Sequence, residues 1–175
     1  MTTASKVTMI RVALIPFFMA SALLDFRYTA LALFILASVT DWVDGYIARK
    51  YDQTTDFGRF IDPLADKLLV TSAMLIFVQW GIMPAWVVMV VLTREFAVSG
   101  LRMIAAAKGS VIAAAGSGKI KTVVTILGIT IMLTIASMAY VPMMEVIRQI
   151  VIALILLTTV YSGIEYFAKN MKVLK

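Results

Sequence analysis

Six apolar runs, each about as long as a bilayer's hydrocarbon core requires of a helix, leave this chain little length for anything else. They lie near 7–24, 29–48, 60–79, 83–107, 119–138 and 143–167, and a spanning helix needs roughly 20 mostly apolar residues. Six spans therefore take about 120 residues of a chain of 175, which excludes a separate soluble domain or a long linker. The balance of residue types agrees. The chain is 62% apolar and 15% charged, against about 45–50% and 25% in soluble domains. Turn-forming residues punctuate the runs at 25–28, 81–84 and 140–142, and longer polar connections fill 50–56 and 108–118. The expectation is an all-α integral membrane protein of six transmembrane helices, with 1–175 forming one membrane domain. The first run has no small-residue cleavage site behind it and reads as a retained helix.

Basic residues orient the bundle. Of the sixteen Lys and Arg, all but Arg27 and Arg148 fall on the face that holds both termini. Under the positive-inside rule that face is cytoplasmic, so the 2–3 and 4–5 connections are expected to meet cytosolic solutes at the inner (plasma) membrane. A net charge of +6 suits an anionic leaflet better than nucleic acid. Glu145 with Arg148, and Asp25 with Arg27, read as solvated pairs at the outer face. Trp80 and Trp86 read as an interfacial belt there.

The chain contains no histidine and no cysteine, which removes the commonest general base, thiolate nucleophiles and the usual zinc ligands. Chemistry is left to carboxylates, lysine, hydroxyls or an oxygen-bound metal. Carboxylates are concentrated in one place. Asp41 and Asp44 stand three apart at the end of the second run, and Asp62 and Asp66 stand four apart at the start of the third. Each pair shares a helix face, and a short connection returns one helix beside the other, so all four can converge. Unpaired carboxylates at membrane depth repel one another and are costly to desolvate, a cost that bound Mg²⁺ or Mn²⁺ removes. A lone acid at a helix end is usually a solvated cap. Four at this spacing point to a functional site. Gly45, Ala48 and Gly58 each lie four residues from one of these aspartates and leave room for a ligand, although any one of them alone is more often a helix-packing contact.

The stretch reads D-x2-D-G-x2-A-R-x8-G-x3-D-x3-D from Asp41 to Asp66, and every specified position resembles the signature of the CDP-alcohol phosphotransferase family. Thr93-Arg94-Glu95-Phe96, Ser99-Gly100-Leu101-Arg102, Gly118-Lys119-Ile120-Lys121-Thr122 and Ser162-Gly163-Ile164-Glu165-Tyr166-Phe167 are similar to the branch that makes phosphatidylglycerophosphate. One position departs: that branch usually has asparagine in an N-x2-T element, and here Ser5 precedes Thr8. The resemblance implies two divalent ions, with Asp41 and Asp62 bridging them, Asp44 completing one site and Asp66 contacting the other. It also implies Asp66 as general base. Gly45, Ala48, Arg49, Thr55 and Gly58 match positions around the CDP moiety, with Ser5 and Thr8 closing that pocket, and family members are commonly homodimers.

Arg94 and Arg102 lie eight apart, on roughly one face of the fourth run, and Lys119 and Lys121 open the fifth. Paired with acids or snorkelling to headgroups, these residues would be structural. As a cationic pocket they would hold the phosphate of an acceptor, which fits sn-glycerol 3-phosphate and not free serine, choline or ethanolamine. The expected reaction moves the phosphatidyl group of CDP-diacylglycerol to that acceptor and releases CMP. Alternatives are a relative using phosphatidylglycerol, as a cardiolipin synthase does, or an inositol phosphate. Outside this class stands a cation channel or transporter, which would place its acids near the midplane.

Overall fold

In the computed structural model the described residues are 3–51, 56–109, 112, 116–138 and 142–171, with side chains described for all of these except 3–8, 41–51, 56–63 and 142. Among them six α-helices follow one another: α1 Thr3–Leu23, α2 Arg27–Tyr51, α3 Asp56–Gln79, α4 Ala85–Ala107, α5 Gly116–Ser137 and α6 Pro142–Asn170. Each coincides with one apolar run of the sequence, with ends that differ by at most four residues. Most of the extra turns are polar, as in Arg49–Lys50 of α2 and Lys169–Asn170 of α6. Hydropathy marks the part of a helix that leaves water, whereas backbone hydrogen bonding carries on into polar residues.

The helices stop where the backbone must reverse. Asp25 adopts φ 62°, a left-handed conformation that Asp tolerates better than most side chains, and its Oδ1 accepts a hydrogen bond from Arg27 Nε at 2.6 Å. Gly81 takes φ 70° ahead of Pro84, which caps α4. The expected Asp25–Arg27 and Glu145–Arg148 pairs both form.

The surface is apolar as well as the core. Phe17, Leu24, Phe26, Met89, Phe96, Met103, Leu157 and Ile164 are all more than half exposed, while Arg11, Ser72, Lys121, Thr125, Thr159 and Ser162 are buried. A soluble monomer rarely leaves contiguous apolar area beyond a few hundred Å², so this apolar exterior is that of a membrane protein. Among the described residues, Gly116–Ser137 and Met143–Asn170 are long and apolar enough to cross a bilayer by length and composition. Met9–Leu23 and Arg27–Thr40 are shorter apolar helices. α4 carries Arg94, Glu95 and Arg102, and composition alone does not mark it as a span.

The chain divides into two compact units, residues 1–80 with 129–140 and residues 81–128 with 141–175. In the first, α1 packs against α2 and α3. Ile15, Phe18 and Ala22 of α1, Ala30, Phe34 and Ala37 of α2, and Ala65, Leu69, Ala73 and Ile76 of α3 are buried at the three- and four-residue spacing of helix stripes. Alanine on each stripe lets backbones approach, and Phe18 meets Phe34 with ring centroids 5.9 Å apart. Arg27 also donates to the Ala136 carbonyl at 2.8 Å and lies 5.2 Å from the Trp80 ring centre.

In the second unit α4 packs against α6, whose buried stripe runs Val151, Ile155, Thr159, Ser162, Tyr166. Gly128 of α5 faces that stripe. A Cβ there would stand 2.9 Å from Val151 Cγ1 and 3.0 Å from Ile155 Cδ1. Gly128→Val is therefore expected to lower the unfolding midpoint in detergent, at a cost of roughly 1–3 kcal/mol for overpacking. An unchanged midpoint would show that α6 yields freely at this contact.

Candidate active site

Asp41 and Asp44 lie in the C-terminal half of α2, and Asp62 and Asp66 in the N-terminal half of α3. Both pairs thus sit next to the 2–3 connection, on two helices that touch in the same unit. The side chains of Ser5, Thr8, Asp41, Asp44, Gly45, Ala48, Arg49, Gly58 and Asp62 lie outside the described residues, as does Thr55 altogether. Asp66 is described, and it reaches across to α1. Its Oδ1 accepts a hydrogen bond from Arg11 Nη1 at 3.0 Å. Arg11 is 1% exposed, whereas half of the Asp66 side chain is open.

Burying a guanidinium costs several kcal/mol unless a carboxylate and further hydrogen bonds offset it. The bond to Asp66 supplies that partner at a separation of 55 residues in sequence. Arg11 had counted only toward the orientation of the bundle. Its position was legible in the sequence as an arginine inside the first apolar run, three residues past Thr8, because a charge at that depth is seldom idle.

The second unit gathers the basic residues unevenly. Glu95 Oε1 accepts both Arg94 Nη1 at 3.0 Å and Lys121 Nζ at 2.7 Å. The three side chains are 12%, 6% and 20% exposed for Arg94, Lys121 and Glu95, so two cations share one carboxylate in a dry setting and the trio retains a positive charge. One glycine makes room for it, and a second lies beside it. A Cβ on Gly163 of α6 would lie 3.2 Å from Arg94 Cγ, and one on Gly118 of α5 would lie 3.5 Å from Arg94 Nη2. Arg94 Nε is buried with no hydrogen-bond partner, leaving one N–H of the fork unused.

Arg102 is held elsewhere on α4. Its Nε donates to Tyr166 Oη at 2.8 Å, and Tyr166 is buried beside Val98 and Leu101. Lys119 is exposed, two positions from Lys121 and therefore about 200° around the helix. Of the four basic residues expected to act together, Arg94 and Lys121 meet on the Glu95 carboxylate, Arg102 stands two turns away, and Lys119 points outward. An open groove of about 540 Å³ runs past Arg94, lined among others by Met89, Thr93, Thr159, Gly163 and Phe167.

Glu95 and Tyr166 had no role in the reading of the residues, although a signal existed for Glu95. It is the one acid between Asp66 and Glu145, and it adjoins an arginine inside an apolar run, where a charge needs a counter-charge. Tyr166 carried no comparable signal, since nothing in spacing distinguishes a tyrosine that orients an arginine from one that packs.

A family model described as CDP-alcohol phosphatidyltransferase matches residues 1–161. A Bacillus subtilis (strain 168) protein named CDP-diacylglycerol–glycerol-3-phosphate 3-phosphatidyltransferase is 43% identical over 186 residues, which cover 98% of this chain and 96% of that protein. Proteins of the same name from Haemophilus influenzae (strain Rd) and Rickettsia bellii (strain RML369-C) are 37% and 32% identical, over 91% and 94% of this chain and 88% and 90% of their own lengths. The Bacillus likeness runs nearly end to end in both chains. The chain belongs to the CDP-alcohol phosphatidyltransferase family.

Proposed function

We propose that this protein transfers the phosphatidyl group of CDP-diacylglycerol to sn-glycerol 3-phosphate, giving phosphatidylglycerophosphate and CMP. The observation that carries this reading is the 43% identity, over nearly the full length of both chains, to a protein whose name states that reaction. The Arg94–Glu95–Lys121 cluster supports the acceptor half of it. Its two cations exceed its one carboxylate, and an acceptor phosphate is the group such a surplus would recognise.

Asp41, Asp44, Asp62 and Asp66 would hold two divalent ions, Mg²⁺ or Mn²⁺. The donor chemistry fits: four carboxylates, with no histidine or cysteine anywhere in the chain, select a hard, oxygen-preferring ion, and Asp66 keeps half its surface open for a ligand. Bound there, such ions neutralise diphosphate charge as the bond to the leaving group breaks. Ser5, Thr8, Gly45, Ala48, Arg49, Thr55 and Gly58 form the CDP pocket. Asp66 takes the proton of the acceptor hydroxyl while that oxygen bonds to the β-phosphorus and CMP departs with the oxygen it shared.

The six helices span the inner (plasma) membrane with both termini and the active site cytoplasmic, and the protein works as a homodimer among anionic lipids. Support for the orientation comes from the lopsided Lys and Arg distribution, and support for spanning from the exposed apolar faces of the helices.

CMP release from CDP-diacylglycerol, measured over a panel of acceptors, tests the reading. Release is expected with sn-glycerol 3-phosphate and not with glycerol, serine, inositol or phosphatidylglycerol. A chelator should abolish it, and added Mg²⁺ or Mn²⁺ should restore it. Preference for an uncharged alcohol would reject the acceptor, and chelator-resistant turnover would reject the metals.

A further inference from the structure

We infer that Arg11 is a positioning residue for Asp66, setting the direction in which that carboxylate meets the acceptor hydroxyl. This rests on the reading of Asp66 as the proton acceptor. The two residues sit on different helices, α1 and α3, which pack together within one unit. Arg11 is almost wholly enclosed, while Asp66 is half open. One end of the contact is therefore anchored in packed protein and the other is open enough to be reached by a substrate. The 3.0 Å bond takes Oδ1 of the carboxylate. With one oxygen tethered, rotation about χ1 and χ2 is restricted, and the second oxygen is carried to a defined place.

The choice of arginine fits that task. A guanidinium presents donors in a rigid plane, so it defines the orientation of a carboxylate that an ammonium would only attract. Phe18, two turns further along α1, is buried against Phe34, and Ile15 beside it is buried as well. The helix that carries Arg11 is thus held by its own apolar stripe, and the tether starts from a fixed point. Positioning of this kind matters because a general base must reach its proton at hydrogen-bond distance, and loss of alignment by about an ångström can cost on the order of 10²-fold in rate.

The test uses the full-length protein in detergent–lipid micelles, with CMP release as the rate and the unfolding midpoint as a control for folding. Arg11→Met is expected to lower kcat by about 10–100-fold while the KM for CDP-diacylglycerol and for glycerol 3-phosphate each stay within about threefold. Arg11→Lys, which keeps the charge and loses the planar fork, should recover only part of that loss. The combination Arg11→Met with Asp66→Asn should be no slower than Asp66→Asn alone, because a residue that acts through Asp66 has nothing to position once the base is gone. A KM increase at unchanged kcat would overturn the inference and make Arg11 a substrate contact. Multiplying losses in the double variant would overturn it too. If Arg11→Met does not fold, the decision passes to Arg11→Lys, where a wild-type kcat at a normal midpoint rejects the need for the fork and a reduced kcat at a normal midpoint upholds it. Full turnover in Asp66→Asn alone would instead reject the assignment of the base.

Discussion

Asp66→Asn is expected to lose about 10²–10⁴-fold in kcat, the usual worth of a positioned general base, while CDP-diacylglycerol still binds. The substitution is nearly isosteric. An amide oxygen at the same place can still accept the Arg11 N–H that Oδ1 accepts at 3.0 Å, so the contact between α1 and α3 survives. What disappears is the ability to take a proton from the acceptor hydroxyl, and no histidine or cysteine exists to replace it. Three aspartates of the motif remain to hold metal and diphosphate. Asp41→Asn should behave differently, weakening metal and nucleotide binding together, because it would hold metal without acting as the base. The measurement is CMP release beside direct binding of CDP-diacylglycerol for each variant. Equal, complete loss of nucleotide binding in both would erase the distinction between base and ligand.

The second large effect is expected at Arg94. Arg94→Met should raise the KM for glycerol 3-phosphate about ten- to a hundredfold, since one charge-assisted contact is worth roughly 1.5–3 kcal/mol, and should leave the KM for CDP-diacylglycerol within a few-fold. The physical reason is the repulsion between the acceptor's phosphate and the diphosphate, which attack of the acceptor hydroxyl on the β-phosphorus brings close together. The proposed metals serve the diphosphate, and the second phosphate needs cations of its own. Removing Arg94 leaves the Lys121–Glu95 pair, in which one cation is matched by one carboxylate. Methionine retains the apolar stem that lies against Gly163, so the packing between α4 and α6 is largely kept. Initial-rate kinetics with each substrate varied in turn check this. If glycerol 3-phosphate kinetics stayed at wild-type values, the cluster would be a structural salt bridge and the acceptor phosphate would bind elsewhere.

Six helices and their approximate ends, the apolar exterior and the four-aspartate motif were legible in the sequence for a simple reason. Each is a property of residues near one another in the chain, and hydrophobic run length and i,i+4 spacing need no knowledge of what lies across the bundle. The pairing of charges was not legible in that way. Arg94, Arg102, Lys119 and Lys121 look alike as basic residues on two helices, and only the tertiary structure turns Lys121 inward to Glu95, leaves Lys119 exposed and gives Arg102 to Tyr166. That sorting depends on the rotation of each helix about its own axis, which is decided by how apolar stripes and small residues such as Gly118 and Gly163 pack. The Arg11–Asp66 bond is of the same kind. Its two ends are 55 residues apart, and no local pattern states which acid a buried arginine will meet. The sequence by itself determined which chemistry is possible, through the carboxylates it contains and the histidine and cysteine it lacks. Which cation stands beside which carboxylate was decided by the packing of the helices, because a charge in a dry interior takes the partner that the surrounding side chains bring within reach.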